Sequence, residues 1–184
     1  MAQASQLQEL TEQVEAIGSN ARALLSGLTD AQLWQRPPAG GWSVGECLAH
    51  LNTAGRLYLE KLDPALTEAR AEGVTGQGPF RVGFIGSFFA RSQEPPVRLK
   101  LRAPRAFAPG SGPQAGVTEA FYALQDALRS LIERADGLDL GCITVSSPVT
   151  NLLRFNVFEA MSVVLAHERR HLWQAARVRE VILS

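Results

Sequence analysis

Residues 155–183 read FNVFEAMSVVLAHERRHLWQAARVREVIL. Apolar positions recur through this stretch with the period of an α-helix, and neither proline nor glycine interrupts it. Within it stands His167-Glu168-Arg169-Arg170-His171. On a helix, residues i and i+4 project from one face with Cβ atoms about 6 Å apart, a separation that suits two imidazoles converging on one cation. With His167 at zero and about 100° per residue, His171 lies near 40° and Gln174 near −20°. Ala160, Val163 and Val164 share that side, whereas Arg169, Arg170, Trp173 and Arg177 occupy the opposite arc. The histidine face is otherwise small and apolar, so it is the face a helical bundle turns inward. Two inward imidazoles need polar partners. A metal ion supplies them, and so do hydrogen bonds to backbone or water.

The third and last histidine of the chain shifts that balance. Ser43-Val44-Gly45-Glu46 has capping-box spacing, in which serine and glutamate satisfy the free amides of a helix start. The helix it opens runs to about Leu62. It carries His50 two turns in, on the face shared with Ala54 and Leu57. All three histidines thus fall on inward helical faces. Three protein ligands with an open fourth position describe an exchangeable or catalytic metal site.

Two further amphipathic patterns complete a bundle. Residues 5–28 set Leu7, Leu10, Val14, Ile17, Ala21, Leu24, Leu25 and Leu28 in one stripe. Residues 114–136 do the same with Val117, Phe121, Leu124, Leu128, Leu131 and Ile132. The spacing predicts an all-α fold, an antiparallel four-helix bundle with a long irregular crossover between the second and third helices. The crossover, residues 73–113, holds seven glycines and six prolines. Six basic residues (Arg81, Arg91, Arg98, Lys100, Arg102, Arg105) and one acid (Glu94) give it a local charge of +5. Within it, Phe80 to Phe89 reads as a short apolar helix. Val97 to Arg102 alternates like an extended segment packed on the bundle. Residues 137–150 are non-helical.

The chain has 184 residues, with eighteen basic and eighteen acidic side chains, which fits one domain over residues 1–184. Zero net charge gives no global pull towards nucleic acid or anionic lipid. The polar, acidic start from Met1 to Glu15 is unlike a secretory signal, and no apolar run is long enough to span a bilayer. Cys47 and Cys142 are too few for a disulfide framework and read as free buried thiols. The expected location is cytoplasmic.

His167 to His171 spells HExxH, the helix of zinc proteases with glutamate as general base. That reading needs a third ligand downstream, and the extended form would need glycine at 174 and histidine at 177, where Gln174 and Arg177 stand. The better match is elsewhere. Gly41-Trp42-Ser43-Val44-Gly45-Glu46-Cys47-Leu48-Ala49-His50-Leu51 resembles the first metal-ligand motif of the DinB-like superfamily. His167-Glu168-Arg169-Arg170-His171-Leu172-Trp173-Gln174 resembles its second, HxxxHxxQ. Glu94 to Leu101, followed by Ala103-Pro104, is also similar to a stretch seen there. The resemblance covers nearly the whole chain. It implies a four-helix bundle, often dimeric, with a divalent ion on His50, His167 and His171.

For activity, the resemblance implies either thiol-dependent transfer, with a low-molecular-weight thiol as cosubstrate, or no assigned reaction. Three readings stay open: thiol transfer to a small electrophile, hydrolysis of a small molecule, and a metal-binding stress or regulatory module without turnover. Zinc is the expected ion by ligand type, and nickel and iron suit imidazole as well. Gln174 is a candidate to orient a ligand, or simply a packing residue. Glu46 is a candidate catalytic group already explained by capping. Glu168 suits a solvent-facing or supporting position better than a general base, Cys47 a small buried hydrophobe, and Trp42 the packing of the helix entry. The arginines of the crossover suit an anionic ligand or plain solvation. Phe84, Ile85, Phe88 and Phe89 offer a homodimer surface. No element reads as a nucleic-acid or membrane site.

Overall fold

The computed structural model describes residues 2–96, 104, 107–110 and 112–184, without the side chains of 2–4 and 85. Four long helices form an all-α bundle: α1 (Ala2–Leu25), α3 (Val44–Ala71), α5 (Val117–Arg134) and α6 (Val157–Leu183). Two short helices, α2 (Asp30–Trp34) and α4 (Phe84–Gln93), and a hairpin of β1 (Thr144–Ser146) and β2 (Arg154–Asn156) occupy the connections. The hairpin is antiparallel, with Val145 opposite Phe155.

α1 and α3 each pack against both α5 and α6, which closes the long helices into a ring. Their directions follow from bonds along their length. Asn52 donates to the Val117 carbonyl near the start of α3 and α5, and Arg70 to the Arg134 carbonyl near their ends, so these two run parallel. α1 and α6 are parallel too, with Gln13 bonded to Arg169 and the Ser26 carbonyl to Arg179. The expected antiparallel arrangement holds between the two pairs and not within them. The long crossover is what lets α5 return to the end where α3 began.

Local chemistry sets the helix starts. Thr29 with Gln32, Ser43 with Glu46, and Asn156 with Glu159 form reciprocal capping boxes on α2, α3 and α6. α3 extends beyond the expected end at Leu62, through Pro64 to Ala71. Pro64 is exposed, so the carbonyl deprived of its partner can meet water, while Leu62, Leu66 and Ala69 are buried. Burying Leu66 contributes about 1.5–3 kcal/mol, which offsets an interior-proline cost of about 3 kcal/mol. Packing overrides the local breaker. The core runs through Ile17, Leu48, Leu51, Leu62, Phe121, Leu128, Leu131, Met161 and Leu165, all fully buried. α3 and α5 meet at Gly55, where a Cβ would lie 2.5 Å from Leu124 Cδ2.

Several expectations need correction. α2 and the β-hairpin have no counterpart among the predicted elements. The short crossover helix spans Phe84–Gln93 and not Phe80 to Phe89. Val97 to Arg102 lies outside the described residues, as does Arg105. Cys47 is buried but Cys142 is exposed. Phe84 and Phe88 are exposed, whereas Phe89 turns inward onto Phe155, with ring centroids 5.9 Å apart. Among the described residues no helix is long and apolar enough to cross a membrane.

Candidate metal centre

α3 and α6 run antiparallel and place His50 opposite the two histidines of α6. One nitrogen from each of His50, His167 and His171 falls in a group whose members all lie within 4.8 Å of one another. The imidazole centroids are 5.0, 4.4 and 4.6 Å apart, and each pair of rings is inclined by 65–68°. The three rings therefore stand edge to face in one cluster.

Hydrogen bonds decide which nitrogen faces the cluster. His50 Nδ1 lies 2.5 Å from the Phe107 backbone carbonyl, which can only accept, so Nδ1 carries the proton and Nε2 keeps its lone pair. His171 Nδ1 lies 3.1 Å from Gln174 Oε1 and takes the same tautomer if it donates to that oxygen. His50 Nε2 and His167 Nε2 are 3.1 Å apart. Two imidazole nitrogens bound tetrahedrally at about 2.0–2.1 Å from zinc stand about 3.3 Å apart. The pair thus needs only a small adjustment to share an ion. A carbonyl or amide oxygen fixing a ligand ring from behind is the usual support of a metal-bound histidine. The donor set fits a divalent transition metal.

Electrostatics point the same way. Burial is the main cause holding His50, His167 and His171 below the ordinary histidine range. For His167 and His171, repulsion from the neighbouring histidines and Arg170 adds to it. Neutral imidazole is the form that binds a metal.

Around this cluster the candidate residues sort out by contact. Gln174 is half-buried and holds the His171 ring. Glu46 is committed elsewhere: its carboxylate accepts from the Ser43 amide at 2.8 Å and from Arg36 Nε at 2.8 Å, with a second, very short contact to the same guanidinium. Arg36 and the Ser43 amide hold the Glu46 carboxyl below its ordinary value against the opposing effect of burial. Cys47 is fully buried beside the site, and burial pushes its thiol up to about 12. Of the two positions expected for Glu168, solvent-facing or supporting, the first is ruled out: it is buried, and Gln125 of α5 donates to its Oε1 at 3.0 Å. Its carboxyl is pushed up to about 8, chiefly by burial.

Three features escaped the sequence reading. Trp42 does not simply pack the helix entry; its indole lies 4.8 Å from the His50 ring and 5.7 Å from the His171 ring, centroid to centroid. The Phe107 carbonyl comes from 57 residues away, and a backbone acceptor leaves no trace in residue types. The third is the clasp of Arg169, which stands between the two α6 histidines in sequence, on Glu94 at the end of α4, 2.5 Å away, with Gln13 on the same guanidinium. Only the charge of Glu94 within a basic stretch hinted at it.

Comparison with curated proteins and with solved structures gives no significant match. The family model described as the DinB superfamily does match, over residues 13–175, a span that contains all three histidines, α3 and α5, the second half of α1 and most of α6. The chain belongs to the DinB superfamily.

Proposed function

We propose that this protein binds one divalent transition metal on His50, His167 and His171, and uses the open fourth position for chemistry on a small molecule. The observation that carries the reading is the clustering of three imidazoles, two buried and His167 half-buried, with His50 Nδ1 held by the Phe107 carbonyl so that Nε2 keeps its lone pair towards the cluster. Zinc suits the ligand set best, with nickel and iron as alternatives. A bound ion would supply Lewis acidity, favouring the deprotonated form of a thiol or of water.

The surroundings favour thiol transfer over hydrolysis. Glu46, the candidate catalytic carboxyl, is tied to Arg36 and Ser43, and Glu168 turns to Gln125, so neither is free to serve the site as a base. A thiol is far more acidic than water and needs no such base. The reaction class is therefore transfer of a low-molecular-weight thiol to a small electrophile. The same engagement of Glu46 and Glu168 is what a non-catalytic metal-binding module would show, and that is the second reading.

Elemental analysis of the purified protein, with thermal melts before and after chelation, tests the site. About one equivalent of a transition metal and a lower midpoint after chelation are expected, because a ligand bound only to the native state stabilises it. His171→Ala should lose most of the affinity and keep its helical content. Unchanged metal binding by that variant would refute the three-histidine site. Turnover that persists without thiol would exclude transfer, and failure of every electrophile on metal-loaded protein would leave the module.

A further inference from the structure

The metal reading leaves open how a ligand reaches the fourth position, and one residue bears on this. We propose that Trp42 is the access-determining residue of the site: its indole roofs His50 and His171, so that a ligand enters past His167 and must be slender.

Exposure supports this. His50 and His171 are only 2% and 8% exposed, whereas His167 retains more solvent contact as a residue than either, although its Nδ1 is buried. The indole sits against the two covered rings, stacked on His171 at an interplanar angle of 30° and tilted on His50 at 46°. Trp42 is itself half-buried, so its outer face meets solvent. It stands between water and two of the three ligands.

The backbone is built to hold it there. Gly40 and Gly41 have φ of +81° and +112°, values that side chains strongly disfavour. They reverse the chain just before Trp42, and the Gly40 amide closes a turn on the Pro37 carbonyl at 2.9 Å. On one side of this turn Arg36 grips Glu46, and on the other Ser43 caps α3 through that same carboxylate. Glu46 therefore acts as a positioning residue, fixing the loop that carries the indole. This accounts for a buried carboxylate next to the site that does not face the metal.

Two experiments test the roof, one without metal. In chelated protein, diethylpyrocarbonate labelling read by mass spectrometry should modify His50 and His171 about tenfold faster in Trp42→Ala than in wild type. His167 should change little, and Trp42→Phe should stay close to wild type. Equal labelling of His50 and His171 in wild type and Trp42→Ala, with both folded by circular dichroism, would overturn the proposal. The second experiment rests on the metal reading and uses cobalt-loaded protein with 1,2,4-triazole and its bulkier relative benzotriazole as probes, followed by visible absorption. Trp42→Ala should gain about tenfold in affinity for benzotriazole and little for triazole. A loss of benzotriazole affinity would make the indole a stacking platform and refute the roof. If cobalt fails to bind while the labelling contrast persists, the metal reading falls and the roof over the histidines stands.

Discussion

Replacing Glu168 by glutamine should stabilise the protein, and by an amount that grows with pH. Glu168 is 1% exposed at the α5–α6 contact. Its Oε1 accepts from Gln125 Nε2, while its Oε2 and Gln125 Oε1 find no partner among the described residues. A proton on Oε2 turns one of the two unpartnered acceptor oxygens of this pair into a donor. Burial accordingly pushes the carboxyl from its ordinary 4.5 up to about 8. The folded form thus holds a proton that the unfolded chain releases above pH 4.5. Stability from this group is complete below pH 4.5 and is lost as pH rises through 8. At pH 7 the loss is about 3 kcal/mol, from roughly 1.4 kcal/mol per pH unit. Glutamine keeps a donor and an acceptor towards Gln125 and removes the titration. Urea unfolding of chelated wild type and Glu168→Gln at half-unit steps from pH 5 to 8 provides the assay. The stability difference should widen steadily in favour of the variant, by about 1.4 kcal/mol per unit. The three histidines are present in both proteins and cancel in that difference. A gap that does not change with pH would show that Glu168 is ionised in the fold, and would refute the reasoning.

Three further outcomes follow from the same contacts. In the Glu168→Gln background, chelated protein should lose stability as pH falls below about 6.5. The folded histidines resist protonation that the unfolded chain accepts, so their contribution is complete above the unfolded value and lost below it; an unfolding midpoint flat from pH 7.5 to 5 would contradict this. Gln174→Ala removes the partner of His171 Nδ1 and should weaken zinc binding by about 10–100-fold, read by competition with a chelating dye, with helicity unchanged. Gly55→Ala sets a methyl 2.5 Å from Leu124 Cδ2 and should cost about 1–3 kcal/mol in urea melts, part of it recovered by Leu124→Ala in the double variant.

The sequence by itself determined the four long helices and picked out the three histidines that the fold brings together. Periodicity reports which face of an element is buried, and it named the stripes of α1, α3, α5 and α6 with most of their core residues. Spacing on one helix brings His167 and His171 together without reference to the rest of the chain. The Ser43–Glu46 box was legible because its bonds close within four residues. What tertiary structure decided is whatever depends on a neighbour far along the chain. Helical angle set Glu168 apart from its histidine neighbours, but only the approach of α5 made that direction an interior one with Gln125 waiting. Pro64 marks a helix end by local rules, and the burial of Leu66 beyond it carried α3 onward. The parallel run of α3 and α5 depends on where the crossover lands, which no local pattern encodes. The tautomer of His50 is set by a carbonyl 57 residues away, and the cover over the site by an indole that two left-handed glycines turn back onto the histidines. A hydrogen bond or ring contact between distant segments is decided by packing, and packing is a property of the folded whole.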